Sequence, residues 1–198
     1  MEDERPGVLI FATSPRPSGN TDTAAGILAE ALQERSIAAS IVPLRNYKLM
    51  PCRGCNYCGI PGNACILAQR DDCESLFARI CAAQAVFWLA PIYFYHLPAQ
   101  SKALIDRAQA YWYLKRNDEP KVMSLPARKA HTLLIAARSK GENLFQGSLY
   151  TLQYFFEPFN ISLAEPMLIT GLDGPGDLKN SALNRQRIAQ WGAAAVKK

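Results

Sequence analysis

Short, continuous apolar runs alternate along this chain with stretches in which apolar residues recur every three to four positions. Val8-Leu9-Ile10-Phe11-Ala12, after Gly7, is apolar at every position. A strand buried on both faces reads this way, and parallel sheets are built from such strands. The polar loop Thr13 to Asn20 follows, and Thr21 opens a helix predicted to reach about Arg35. In it Ala24, Ile27, Leu28, Ala31 and Leu32 share one face. Ala38 to Val42 is a second short strand, stopped by Pro43. Asp71-Asp72 stands at a helix start, where the dipole favours carboxylates, and that helix runs to about Ala83. Ala85 to Ala90 is the third strand, ending at Pro91. Pro98 opens a third helix through Leu104 and Arg107 into Tyr111 to Leu114. Asn117 to Arg128 reads as a polar loop and His131 to Ala137 as the fourth strand. Leu144 to Phe156 is an aromatic-rich helix ended by Pro158. Ile161 to Ile169 is a fifth strand, broken or bulged near Pro166, and after the loop Gly171 to Gly176 a closing helix spans Ser181 to Val196.

Strand and helix alternate throughout, with no internal repeat, linker or low-complexity segment. The pattern predicts one α/β domain over residues 1–198, with helices covering both faces of a parallel sheet. Five strands in one doubly wound unit fit the flavodoxin-like order 2-1-3-4-5. The ligand crevice of such a sheet lies at the carboxyl ends of strands 1, 3 and 4.

Composition narrows the classes. The 198 residues are 49% hydrophobic, enough for a filled core, and the formal charge of +5 is mild. Much of the excess lies in the tail, at Arg185, Arg187, Lys197 and Lys198. Such basicity suits an anionic cofactor or an acidic redox partner and falls short of a nucleic-acid surface. The acidic N-terminus MEDERPG lacks the order of a secretory leader. No apolar run approaches the roughly 20 residues of a membrane span. The expectation is a cytoplasmic protein without nucleic-acid or membrane partners, in a compartment where thiols stay reduced.

That expectation bears on the six cysteines. Four of them, Cys52, Cys55, Cys58 and Cys65, form the run Cys-x2-Cys-x2-Cys-x6-Cys in a loop at about 50–66. Three thiols at a repeat of three reach one side of a tight loop, as a cubane iron–sulfur cluster needs. Zinc sites more often pair two Cys-x2-Cys knuckles across a longer stretch, which is missing here. A [4Fe–4S] cluster, a zinc clip, disulfides and a run that holds nothing all stay open on spacing alone. Cys73 and Cys81, eight apart on one helix, read as buried structural thiols.

Two further loops fall at the predicted crevice. Ser14-Pro15-Arg16-Pro17-Ser18-Gly19-Asn20-Thr21 joins the first strand to a helix N-terminus, where free N–H groups and the dipole attract anions. Ser14, Ser18, Thr21, Asn20 and Arg16 are phosphate donors, and Gly19 allows close backbone approach. Neither Gly-x4-Gly-Lys nor Gly-x-Gly-x2-Gly is present. That leaves a terminal phosphate, as in FMN, as the best fit, against a plain polar turn with a Thr21 or Asp22 cap. After the third strand, Pro91-Ile92-Tyr93-Phe94-Tyr95-His96-Leu97-Pro98 sets three aromatics in a row, which could wall a flat ring. Lys102 and Asp106 downstream are spaced to pair on a solvated face, and His96 reads as a hydrogen-bonded bystander. Arg138-Ser139-Lys140-Gly141, after the fourth strand, could contact the flavin edge or the phosphates of a nicotinamide cofactor.

Together, SPRPSGNT, PCRGCNYC with its later Cys and Asp-Asp, and PIYFYHLPAQSKALIDR resemble the iron–sulfur flavoproteins and their NADPH-dependent FMN reductase relatives. The match in order and spacing runs from the first strand to about Arg107. The resemblance implies that SPRPSGNT holds the FMN phosphate and that Pro91 to Phe94 hold the isoalloxazine and ribityl chain. It implies that the four cysteines ligate a [4Fe–4S] cluster close to a flavin, often one in a neighbouring subunit, hence a homodimer or homotetramer. The loop after strand 4 departs from the glycine-rich form of many FMN reductases. The expected activity is flavin-dependent electron transfer from a reduced donor, NAD(P)H or ferredoxin, to a small-molecule or protein acceptor. The alternatives are a cluster-free NAD(P)H-dependent FMN or quinone reductase, a non-enzymatic electron carrier, and a zinc-binding interaction module. Chemistry on the flavin requires no side-chain acid, base or nucleophile.

Overall fold

The computed structural model describes residues 7–196; the acidic residues before Gly7, and Lys197 and Lys198, lie outside the described residues. The apolar run of the first strand forms β1, Val8–Ala12, buried at all five positions. It pairs in parallel with β2, Ala39–Pro43, and with β3, Ala85–Pro91, so it stands inside the sheet. β4, Arg128–Ala136, continues the sheet from β3. The order is β2-β1-β3-β4, followed by the fifth strand, the doubly wound order that the sequence predicts.

That fifth strand is two. β5, Ile161–Leu163, and β6, Met167–Thr170, both pair in parallel with β4, which makes a six-stranded sheet among the described residues. Between them Ala164, Glu165 and Pro166 stand opposite only His131 and Thr132 of β4. One residue is therefore extra, as in a β-bulge, at the point where Pro166 has no N–H to give the ladder.

Alternate residues of the strands feed two cores. Val8, Ile10 and Ala12 join Phe87, Leu89 and Leu133 beneath α1 (Asn20–Gln33) and α8 (Ala182–Ala195). Leu9, Phe11, Val86 and Trp88 face the other way. They meet α2 (Cys73–Ala82), α3 (Ala99–Arg107), α4 (Gln109–Arg116) and α6 (Gln146–Phe156). The second core is aromatic, with Tyr111 and Phe159 ring centroids 4.8 Å apart and Trp88 and Phe155 5.4 Å apart. On the first face α1 and α8 touch at Gly192, where an added Cβ would lie 2.1 Å from Leu28 Cδ1.

Three details differ from the expectation. The third helix divides at Ala108 into α3 and α4. The polar loop after it contains a short α5, Pro120–Met123, with proline in its first turn. A further turn of helix, α7 (Asp177–Asn180), precedes α8, whose Ser181 caps it by accepting from Asn184 N–H. Arg128 ties α2 to the sheet, its guanidinium donating to the Ile80, Cys81 and Ala83 carbonyls at the end of α2. These are the carbonyls that a helix C-terminus leaves unpaired. Among the described residues no helix is long and apolar enough to cross a membrane.

Candidate functional site

The carboxyl ends of β1, β3 and β4 open onto a cleft of about 110 Å³. Ser14, Arg16, Asn20, Thr21, Pro91, Ile92 and Tyr93 line it, together with Leu172 and Asp173 from the loop after β6. A second cavity of about 370 Å³ adjoins it, sharing Ile92 and Ala137, and is lined by Phe94, Tyr95, Arg138 and Leu144. The phosphate-type loop and the aromatic loop thus meet at one edge. Ser18 and Gly19 line neither cavity; they shape the turn.

The turn is held from outside. Ser18 has φ +56 and donates its N–H to Asp22 Oδ2 at 2.7 Å. Arg45, just past β2, grips both Asp22 oxygens at 2.9 Å and donates to the Ser14 carbonyl. Asp22 is thereby neutralised instead of opposing an anion at the end of α1. The N-cap of α1 is Gly19, which has no side chain to cap the first N–H groups, and Thr21 is only 2% exposed. Those N–H groups and the positive end of the dipole remain for a ligand anion. The Thr21 or Asp22 cap is not what forms. The Asn20 amide does not point to a phosphate either: it donates to the Gly174 carbonyl at 2.9 Å and accepts from Leu178 N–H at 3.0 Å. Asn20 thus pins the loop after β6 to the start of α1. Ser14 Oγ is engaged with Arg16 backbone.

The aromatic loop is a tight reverse turn, with Tyr93 N–H donating to the His96 carbonyl and His96 N–H donating to the Tyr93 carbonyl. Its two central residues, Phe94 and Tyr95, have φ of +50 and +62. This turn geometry favours Asn-Gly, and two bulky aromatics there are strained. Phe94 is 102% exposed, so it contributes nothing to the core. Strain and exposure at one residue, beside a cleft, have no folding rationale. Tyr95 Oη accepts from Arg138 at 2.8 Å and lies where a Cβ on Gly141 would be 2.8 Å away, so the loops after β3 and β4 interlock. His96 shares a hydrogen bond with Thr151 Oγ1.

Cys52, Cys55, Cys58 and Cys65 line a separate small cavity of about 30 Å³, with Arg107 and Gln109 beside them. No residue lines both this cavity and the cleft at the sheet edge. Left-handed Gly54, Asn56 and Gly62 bend the loop around it, and Gly59 packs on Tyr113 of α4. Burial pushes the Cys58 thiol up, and the other three sulfurs add to the rise, Cys65 most. Among the described residues no three His, Cys, Asp or Glu side chains converge to hold a single ion. A cubane asks for something different, since each thiolate reaches its own iron atom. Four unbridged thiols around one cavity suit that donor set.

Sequence reasoning missed the anchor of this loop. Asp71, expected to serve the dipole of α2, instead pairs with Arg107, and both side chains are almost wholly inaccessible. Burial alone would raise the Asp71 carboxyl. N–H donation from Met50 and Cys73 and the Arg107 guanidinium hold it below its ordinary value. Lys102 and Asp106 form the exposed pair expected of them, but Arg107 turns inward. The signal was present: Arg107 lies three residues after Leu104 and four before Tyr111, on the apolar stripe. The Cys73 thiol, buried beside Asp71, is pushed up to about 12 and stays protonated.

Residues 6–134 match the model of the family described as NADPH-dependent FMN reductase. An iron–sulfur flavoprotein of Methanocaldococcus jannaschii is 32% identical over 102 residues, 52% of this chain and 51% of that protein. One from Methanosarcina thermophila is 32% identical over 95 residues, 48% of each. The chain spans about half the length of the curated relatives it matches. Among solved structures, the NAD(P)H:quinone oxidoreductase of Methanothermobacter marburgensis superposes with a TM-score of 0.73 at 16% identity, covering 96% of both chains. An azoreductase of Bacillus anthracis gives 0.65 at 15% identity, over 94% of this chain and 98% of that one. These two establish the flavodoxin-like fold. The family match covers well over half of the sequence, and this chain belongs to the NADPH-dependent FMN reductase family.

Proposed function

We propose that this protein is an FMN-containing oxidoreductase that passes electrons from NAD(P)H or ferredoxin to a small-molecule or protein acceptor, with a [4Fe–4S] cluster on Cys52, Cys55, Cys58 and Cys65. The observation that carries the reading is the pairing, at one sheet edge, of an uncapped helix N-terminus with a strained, exposed aromatic turn. Bound FMN supplies hydride and one-electron chemistry on its ring, and the cluster relays single electrons. The backbone N–H groups of Asn20 and Thr21, with Arg16, would hold the phosphate. Pro91, Ile92, Tyr93 and Phe94 would flank the ring and its sugar chain, and the Arg138–Tyr95 pair would border its outer edge. Ser18 and Gly19 shape the turn, and Ser14 and Asn20 brace it. The similarity to iron–sulfur flavoproteins supports the cluster, as does the ring of four thiols.

The cysteine cavity and the flavin cleft share no lining residue, which favours a cluster that serves the flavin of a neighbouring subunit, hence a homodimer or homotetramer. We further propose one cytoplasmic domain over residues 1–198. A cluster-free NAD(P)H-dependent reductase is the second reading, favoured by the exposure of Cys52 and Cys55. Anaerobic mixing separates donors: bleaching of the flavin band within seconds of adding NADPH or NADH supports the reductase. Bleaching only by reduced ferredoxin assigns the donor to a protein. No response to either donor would overturn the reading.

A further inference from the structure

One polar atom beside the cysteines lacks the partner that burial demands. Arg107 is 3% exposed and lines the cysteine cavity, and its Nε has no hydrogen-bond partner among the described residues. Its Nη1 is committed, donating to Asp71 and, at 3.1 Å, to the Met50 carbonyl. Asp71 in turn accepts from the N–H groups of Met50 and Cys73. Met50 lies two residues before the cysteine run and Cys73 follows it, so one ion pair clamps both ends of the loop. A buried Nε–H left unused on a guanidinium held this firmly costs stability unless something accepts that bond. Among the acceptors that line the cavity are the four cysteine sulfurs, and Cys73, then Cys65, lie close enough for their charge to act on Arg107.

We propose that Arg107 is a positioning residue for the redox centre of the four cysteines, its fixed positive charge and free Nε–H stabilising the added electron of the reduced centre. The proposal rests on the cysteines ligating an iron–sulfur cluster. Reduction adds one electron, and so one negative charge, beside a guanidinium that is itself buried. A cation fixed at its wall stabilises the reduced form and raises the potential, and a neighbouring carboxylate acts in the opposite sense.

The test is the midpoint potential of the anaerobically purified protein, from a dye-mediated dithionite titration followed by low-temperature electron paramagnetic resonance. Arg107→Gln shifts the potential to more negative values, Arg107→Lys restores most of the wild-type value, and Asp71→Asn shifts it to more positive values. A general loosening of the loop would not move Arg107→Gln and Asp71→Asn in opposite directions. If Arg107→Gln does not fold or retain iron, Arg107→Lys and Asp71→Asn carry the test, and an unchanged potential in Asp71→Asn overturns the proposal. So do equal potentials in Arg107→Gln and wild type, or shifts of one sign in both variants. A wild-type protein without iron after anaerobic preparation removes the cluster reading and this inference with it. Iron present with unmoved potentials removes the inference alone.

Discussion

Replacing Phe94 by Asn should stabilise the flavin-free protein while weakening its hold on flavin. Phe94 has φ +50 and is fully exposed, so the substitution removes no buried apolar area. Left-handed backbone costs an ordinary side chain about 1–2 kcal/mol, and Asn tolerates it far better. A gain of about 0.5–1 kcal/mol is therefore expected for the apo-protein. An aromatic ring packed on a flat ligand contributes about 0.5–1.5 kcal/mol, so the dissociation constant for FMN should rise roughly two- to tenfold. Urea denaturation of the apo-protein, followed by circular dichroism, measures the first effect. Titration of FMN fluorescence on binding measures the second. An apo-protein made less stable, or an FMN affinity left unchanged, would refute the reasoning that strain is kept at Phe94 for the ligand.

Asp71→Ala strands the buried Arg107 guanidinium and frees the Met50 and Cys73 N–H groups, so a loss of about 3–5 kcal/mol is expected in the same urea assay. Gly192→Ala drives a Cβ into Leu28 between α1 and α8 and should cost about 1–3 kcal/mol, read as a lowered denaturation midpoint without a changed slope. His131 is buried in β4 against Phe87 and Trp191, and burial, with Lys129 nearby, holds its pKa below 6.5. The unfolded chain therefore takes up a proton first as pH falls below about 6.5, and stability should decline from there toward the folded-state pKa. His131→Phe should flatten that slope. Arg45→Met leaves Asp22 unneutralised at the start of α1 and should weaken FMN by roughly tenfold, an effect of about 1.4 kcal/mol on the same titration.

The strands were legible because burial on both faces leaves continuous apolar runs, as in Val8–Ala12 and Ala85–Pro91. The break in the last strand was legible because Pro166 cannot join the ladder. At the candidate site the loops could be read, but not the use of each side chain. Asn20, grouped among the phosphate donors, is held by the loop after β6, more than 150 residues on, a contact that local sequence does not announce. Asp71 read as a helix-dipole carboxylate and Arg107 only as part of a helix; the place of Arg107 on the apolar stripe marks it as buried, but its partner, 36 residues away, is not announced by local sequence. Arg45 gave no signal beyond its place just after a strand.

The claim that ties these residues together is that the four cysteines hold an iron–sulfur centre in a flavoprotein. Low-temperature electron paramagnetic resonance of the anaerobically purified, dithionite-reduced protein tests it most directly, with iron and acid-labile sulfide counted on the same sample. The account predicts a reduced-cluster signal, iron and sulfide in equal amounts beside bound FMN, and loss of the signal in Cys58→Ser with flavin retained. Flavin bands with neither iron nor signal would contradict it.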